Sequence, residues 1–411
     1  MKALVDEHWK VANITIYPAK GAEHSSADEL SALAAYAKSL FQAMPGEIQK
    51  RHVILSSIKN GFGGAYHDED LEVRECWRKG SLLFGWDIWR QIRKNPTWRV
   101  IHLQHEFNQF GGILSLPLLL LLLAGLRFLL WRKLAITLHE VLAPDLITPD
   151  FLRKSGIPYP AASVRIGFAF YYRLLGYLAH GLVVQDEYFQ SILEKEYGIS
   201  CAITIVRIGT DAEIPMERGA ARRKLGIRND VFVLLFFGTF DWRKGLEILI
   251  DAYSRLPKGR FALVLGGGSP VRIRHTAEYQ EWWDAIKTSM AGLKDIHQIG
   301  FVEDADIPCI FGAADLVVLP YLVPQRVSAV FNHAVSFGVP CIVSEAFASQ
   351  ATSEMVFNAE AGQIADKIIW AESGNLSALR DYARDFRTKN SWSFSATAMN
   401  RLHEKLIASA P

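Results

Sequence analysis

Cysteine is scarce in this chain: four in 411 residues, at Cys76, Cys201, Cys309 and Cys341. None stands in a CxxC or Cys/His spacing, which excludes a disulfide framework and a cysteine-built zinc site and points to a reducing compartment. Net charge is equally small, with 45 Lys and Arg against 43 Asp and Glu. Nucleic acid is therefore not expected as a partner, and any basic docking surface has to be local. No internal repeat, heptad array or low-complexity tract is present. Long uncharged apolar runs are also missing. The nearest, Gly111 to Trp131 (GGILSLPLLLLLLAGLRFLLW), is broken at Arg127, while a bilayer span takes about 20 such residues. Ser115 as N-cap and Pro117 in the first turn start it as soluble helices start. A buried helix is the first reading, ahead of a helix lying in the membrane interface and of a true span. The opening residues, MKALVDEHWK, put acids where a secretory leader has its apolar core, so secretion is not expected.

Half of the residues are hydrophobic, enough for two cores, and the length suits two domains of roughly 200 residues each. Strand-like and helix-like segments alternate through the first half: VANITIYPA, ADELSALAAYAKSLFQAM, RHVILSSI, WRVIHLQHE, the Leu-rich helix, LAITLHEV, SVRIGFAFYYRLLGYLA, HGLVVQD and CAITIVRIG. The second half repeats the pattern with VFVLLFFGTF, GLEILIDAYSRL, FALVLGGG, a charged helix around Tyr279 to Met290, IHQIGFV, IPCIFGAA, DLVVLPY, VSAVFNHAVSFG and CIVSEAF. Continuous apolar strands separated by helices predict parallel sheets covered on both faces, so the fold class is α/β, with two doubly wound Rossmann-like domains. The polar stretch GTDAEIPMERGAARRKLGIRND between them reads as a hinge, and the domains are expected to face a central cleft.

Ligands of such sheets bind beyond the carboxyl ends of the strands. In FFGTFDWRKGLEILIDA, Gly238 ends a strand and Lys244 and Gly245 open a helix whose N-terminus favours an anion. Lys244 is a phosphate ligand in one reading and a solvated lysine in the other. Gly266 and Gly267 in LVLGGGSP let backbone approach a ligand, although the run is not GxGxxG. His139 ends the strand LAITLHEV; His102 and His105 compete with it, His102 being the more central in its strand. In PQRVSAVFNHAVSFGVP, Ser328 stands at a helix start, where it serves as an N-cap or, with the N–H groups behind it and Arg326 beside it, as a phosphate cradle. Asp68-Glu69-Asp70 and Asp304-Ala305-Asp306 match a divalent-ion pattern, but two hits in one chain show how common that pattern is, and no metal is assigned.

Together these segments resemble the retaining glycosyltransferases of the GT-B fold, the large group called family four. The likeness is densest in FGTFDWRKGLEILIDAYSRL, ALVLGGG, IHQIGFV, IPCIFGAADLVVLPY and AVSFGVPCIVSE, and thinner in TLHEV, VVQDEYFQSILEKEYGI and TIVRIGTD. It implies an acceptor-binding domain at 1–209, a nucleotide-sugar-binding domain at 210–385 and a terminal helix, 386–411, crossing back to the first domain. It also implies transfer of a hexose from a nucleoside diphosphate sugar with retention, without metal or other cofactor. Lys244 and His139 are then the catalytic pair, with Lys244, Arg243, Ser328 and Ala329 on the diphosphate. Gly238, Thr239, Gly266, Gly267, Phe301, Val302, Gln325 and His333 serve nucleotide or sugar, and Gly21, His24 and Ser25 the acceptor. The sequence departs from the family at three places: Thr239 replaces an arginine, and Gln325 and His333 replace two glutamates, of which the second holds the ribose. A branch of the family with a Q-S-G-V-L loop places serine on the diphosphate, with Ala329 here in the glycine position. The departures also fit a GT-B scaffold that binds nucleotide without transferring sugar; an epimerase would need a carboxylate and histidine cluster not seen here.

Family members that build lipopolysaccharide or exopolysaccharide take lipid-linked or polysaccharide acceptors at a membrane. The stretch Val73 to Val100 mixes tryptophan with arginine and lysine as interfacial helices do, and Trp131, Arg132 and Lys133 extend it. The expected partners are thus a nucleotide-sugar donor, a glycan or lipid-linked acceptor and a membrane surface, for a protein of the cytoplasm at the inner face of the plasma membrane.

Overall fold

The computed structural model describes residues 9–18, 32–59, 63–270, 273–323, 328–347 and 350–409. It divides into two compact units, one of residues 1–148, 159–209 and 391–411, the other of 149–158 and 210–390.

The first unit holds an eight-stranded sheet. Its strands are β1 (Lys10–Ile14), β2 (His52–Ser57), β3 (Ala65–Asp68), β4 (Leu71–Trp77), β5 (Trp98–His105), β6 (Lys133–Leu138), β7 (Gly181–Val184) and β8 (Ile203–Ile205). They run in the order β3-β4-β2-β1-β5-β6-β7-β8, parallel except for the antiparallel edge pair β3 and β4. β2 and β7 are buried along their whole length; β7 therefore reads as an unbroken apolar run, while β2 has an apolar centre between buried His52 and buried Ser56 and Ser57. The Val73–Val100 stretch is not one interfacial helix: it begins as β4, with Val73 and Trp77 buried, and only Phe84–Arg93 is helical. Ser115 is likewise not the N-cap of the Leu-rich helix. That helix runs Ser115–Phe128, and the serine hydroxyl donates back to the Gly112 carbonyl. No described helix is long and apolar enough to cross a membrane.

The second unit holds β9 (Phe232–Phe237), β10 (Phe261–Gly266), β11 (Ile296–Gly300), β12 (Leu316–Leu319), β13 (Cys341–Ser344) and β14 (Val356–Phe357), all parallel, in the order β11-β10-β9-β12-β13-β14. The segment expected to be an irregular hinge is partly helical, because Arg218–Leu225 is a helix capped by Glu217 and closed by left-handed Gly226. Arg222 of that helix is fully buried. Its guanidinium pairs with Asp315 at 2.5 Å and donates to the carbonyls of Ala313, Asn229 and Val231.

Candidate functional site

In the second unit the carboxyl ends of β9, β10 and β11 are laced together through glycine. Gly238 N–H donates to Gly266 O at 2.9 Å, and Gly267 N–H to Gly300 O at 2.7 Å. Gly238 and Gly267 have φ of 107° and 134°, and a Cβ on Gly267 would run into the Gly238 carbonyl. Both positions therefore require glycine for conformation and the second for space as well.

From this floor the chain enters a short 3-10 turn, Trp242–Lys244, capped by buried Asp241, and then left-handed Gly245 before the helix Leu246–Ser254. Lys244 thus ends a turn rather than opening the helix. Its Nζ lies 2.8 Å from where a Gly238 Cβ would stand, and 5.4 Å from the centroid of the Tyr321 ring. No carboxylate among the described residues pairs with it. Arg243 differs: Asp241 accepts from its Nη2 at 2.6 Å and its Nε at 3.0 Å, so its charge is neutralised in place. Tyr279 braces the loop by donating to the Phe240 carbonyl.

The helix Ala329–Ser336 points its N-terminus at the same place, with Val330 packed 3.2 Å from the Gly238 Cβ position. Ser328 caps it: the hydroxyl accepts from Phe331 N–H at 3.3 Å and lies 3.4 Å from the Tyr321 hydroxyl. Ala329 and Thr239 are exposed, Phe301 is exposed, and Val302 is buried against Gly266. His333 packs among Phe237, Phe311 and Phe337, and burial lowers its pKa, keeping the ring neutral. Gln325 and Arg326, and Gly21, His24 and Ser25 of the first unit, lie outside the described residues.

In the first unit His139 follows β6 and meets the ends of the two neighbouring strands. Its Nε2 lies 2.9 Å from Gln104 Oε1, and Gln185 Nε2 lies 3.2 Å from its Nδ1. This arrangement fits a neutral ring protonated at Nε2. Burial, with His105 nearby, lowers its pKa to about 3. Gln104 and Gln185 were invisible to motif reading, since they stand 35 and 46 residues from His139. Glu106, two residues after Gln104, has its pKa raised by burial and then by Glu140. His102 is a core residue, bonded to Thr137 and His403 at 2.8 Å each, and His105 is bonded to the Tyr171 hydroxyl.

One acid of each divalent-ion pattern is engaged elsewhere: Asp68 accepts from the Tyr17 hydroxyl, and Asp306 pairs with Lys224. Among the described residues no group of three or more His, Cys, Asp or Glu side chains is placed to hold a metal ion.

Residues 231–373, which contain the whole Gly238, Lys244 and Ser328 cluster, match the family described as Glycosyl transferases group 1. The second unit carries a group 1 glycosyltransferase domain. Over 248 residues the chain is 24% identical to D-inositol 3-phosphate glycosyltransferase of Corynebacterium jeikeium, covering 55% of this chain and 57% of that protein. Over 171 residues it is 27% identical to O-antigen chain mannosyltransferase B of Escherichia coli, covering 40% and 39%. These matches span about half the length of the first relative and less of the second. Among solved structures, sucrose-phosphate synthase from Thermosynechococcus elongatus aligns with a TM-score of 0.76 at 16% identity, over 98% of this chain and 100% of that one. Anabaena HepE in complex with UDP and glucose aligns with a TM-score of 0.66 at 17% identity, over 98% and 100%. The chain has the GT-B fold, as two parallel-sheet α/β domains.

Proposed function

We propose that this group 1 glycosyltransferase domain holds a nucleoside diphosphate sugar and that the protein transfers the sugar, with retention and without metal, to a lipid-linked or polysaccharide acceptor. The observation that carries the reading is Lys244. Its ammonium is half-buried, unpaired with any described carboxylate, and set over Gly238 beside the N-terminus of Ala329–Ser336. Cleaving the bond from the anomeric carbon to the phosphate oxygen leaves negative charge on the diphosphate. A fixed cation and helix N–H groups stabilise that charge more than they stabilise the bound donor. The relatives add support: HepE was solved with UDP and glucose, and one curated relative is a mannosyltransferase. On the first unit we assign neutral His139 to a sugar hydroxyl. The hydroxyl gains that bond by displacing Gln185, the longer of the two contacts.

A nucleotide-binding scaffold without transfer is the second reading, favoured by exposed Thr239 and by Arg243 being spent on Asp241, which among the described residues of the cluster leave Lys244 alone to meet two phosphates. Thermal shift with UDP, GDP and ADP, followed by product analysis with the matching sugar donors, separates the two. At about 100 times its dissociation constant a nucleotide adds roughly 2.7 kcal/mol of stability. A shift followed by transfer supports the enzyme, a shift without transfer or donor hydrolysis supports the scaffold, and no shift with any nucleotide overturns both.

A further inference from the structure

Six polar side chains of the first unit form one hydrogen-bonded chain that ends at His139. Strand β5 sets His102 and Gln104 two residues apart, and therefore on one face. Gln104 Oε1 lies 2.9 Å from His139 Nε2, and the other end of the same amide, Nε2, lies 3.5 Å from His102 Nε2. His102 Nε2 is also 2.8 Å from the Thr137 hydroxyl, and its Nδ1 is 2.8 Å from Nε2 of His403 on the terminal helix Trp392–Ala408. Gln185 is the sixth member, at His139 Nδ1. Five of the six are buried and His139 alone is partly exposed, so the chain of bonds reaches the surface at that ring.

The directions of these bonds are linked. An amide nitrogen only donates, so His102 Nε2 receives it without a proton of its own, and the His102 proton sits on Nδ1 and is donated to His403. The amide oxygen only accepts, so His139 carries its proton on Nε2. His139 Nδ1 is then a lone pair, taken by the Gln185 amide. A glutamate at position 104 could fill the same place but would favour a charged ring, whereas glutamine fixes the tautomer without adding charge. The titratable groups facing His139 add none at neutral pH. Burial lowers the pKa of His102 and His105 on β5 to about 3 and about 4, and raises that of Tyr36, which stands edge-on to the ring at 4.7 Å.

We propose that Gln104 is a positioning residue: it holds the His139 proton on Nε2 and so presents Nδ1 as a hydrogen-bond acceptor to a hydroxyl of the sugar. The use of that acceptor rests on the reading of His139 as a sugar-hydroxyl ligand; the fixed tautomer does not. A glutamine that only filled space would leave the ring free to protonate at either nitrogen, because Gln185 can turn its amide and accept from Nδ1.

The test is long-range proton–nitrogen NMR of the full chain carrying isotope-labelled histidine, with the His139 ring assigned by its loss in His139→Asn. In the unmodified protein the proton is expected on Nε2, unchanged between about pH 5 and 8. In Gln104→Met, similar in length but without the acceptor, the proton should move to Nδ1. In Gln104→Glu the ring should titrate within the same range, because a carboxylate at hydrogen-bond distance favours the imidazolium. A wild-type ring protonated at Nδ1 overturns the proposal without any variant having to fold, and a folded Gln104→Met that keeps the wild-type tautomer overturns it as well. Steady-state turnover of UDP-glucose or GDP-mannose gives the second readout. Gln104→Met should lower kcat by at least about tenfold and leave the thermal shift with UDP or GDP unchanged, since the residues assigned to the diphosphate belong to the second unit. A shifted tautomer with wild-type kcat would make Gln104 structural and overturn the proposal. Failure of the unmodified chain to turn over either donor counts against the transferase reading and not against Gln104, which the NMR result decides.

Discussion

Lys244 and Arg243 are adjacent cations with opposite fates. A carboxylate two residues back takes Arg243, whereas Lys244 is turned over Gly238 and toward Tyr321. Lys244→Ala is therefore expected to lower kcat by about 10²–10³-fold, the range for losing one preorganised donor at developing charge. Its melting temperature should stay close to wild type, which thermal denaturation alongside steady-state kinetics will check. His139 carries a second residue-scale expectation. With its pKa near 3 it is neutral throughout the working range, so it cannot generate an acid limb near pH 6.5. His139→Asn should reduce kcat and leave the pH midpoint of the rate profile unmoved; a midpoint that shifts with the mutation would contradict the neutral role. The place of Lys244 in a strand-end loop beside Gly238 was legible from the residues around it. The two glutamines were not, because only strand register brings them to His139.

At the scale of elements, the helix Ala329–Ser336 combines a structural and a binding expectation in one serine. The Ser328 hydroxyl is already engaged as N-cap, so Ser328→Ala should cost about 1 kcal/mol in denaturant unfolding. Ser328→Asp keeps a good cap while placing negative charge where the diphosphate is expected. It should retain stability within about 0.5 kcal/mol and lose the nucleotide-induced thermal shift. If Ser328→Asp still binds nucleotide, the diphosphate does not sit at this helix. Gly267→Ala tests the floor: with φ at 134° and the Gly238 carbonyl in the way, it should cost roughly 1–3 kcal/mol or more in unfolding and weaken nucleotide binding.

Across the whole molecule, two features set the response to pH and to mutation. His52 and His102 are fully buried in the first unit with pKa values lowered to about 3 by burial; an unfolded histidine titrates near 6.5. The unfolded chain thus binds more protons between about pH 3 and 6.5, so their contribution is complete above that window and is lost as pH falls through it. Each adds a slope of up to about 1.4 kcal/mol per pH unit. Urea midpoints measured from pH 7 down to pH 4 should fall accordingly, and His52→Gln should flatten the dependence by about one proton. In the second unit the buried Arg222 and Asp315 pair makes Asp315→Ala expensive, by about 3–5 kcal/mol, because a charged guanidinium is left without its partner. The same denaturation experiment at neutral pH measures it.

The sequence by itself determined the two α/β units, since strands buried on both faces must be apolar throughout and helices packed on one side must be apolar at a period of 3.6, both of which are local signals. It also marked the loops at strand ends where glycine, lysine and serine gather. Tertiary structure alone decided how those groups are committed: Gln104 and Gln185 on His139, His403 on His102 across 301 residues, and Asp315 on Arg222. Pairing of this kind depends on strand register and crossover direction, which a run of residues does not carry, because the same periodicity suits a helix whatever neighbours the sheet supplies.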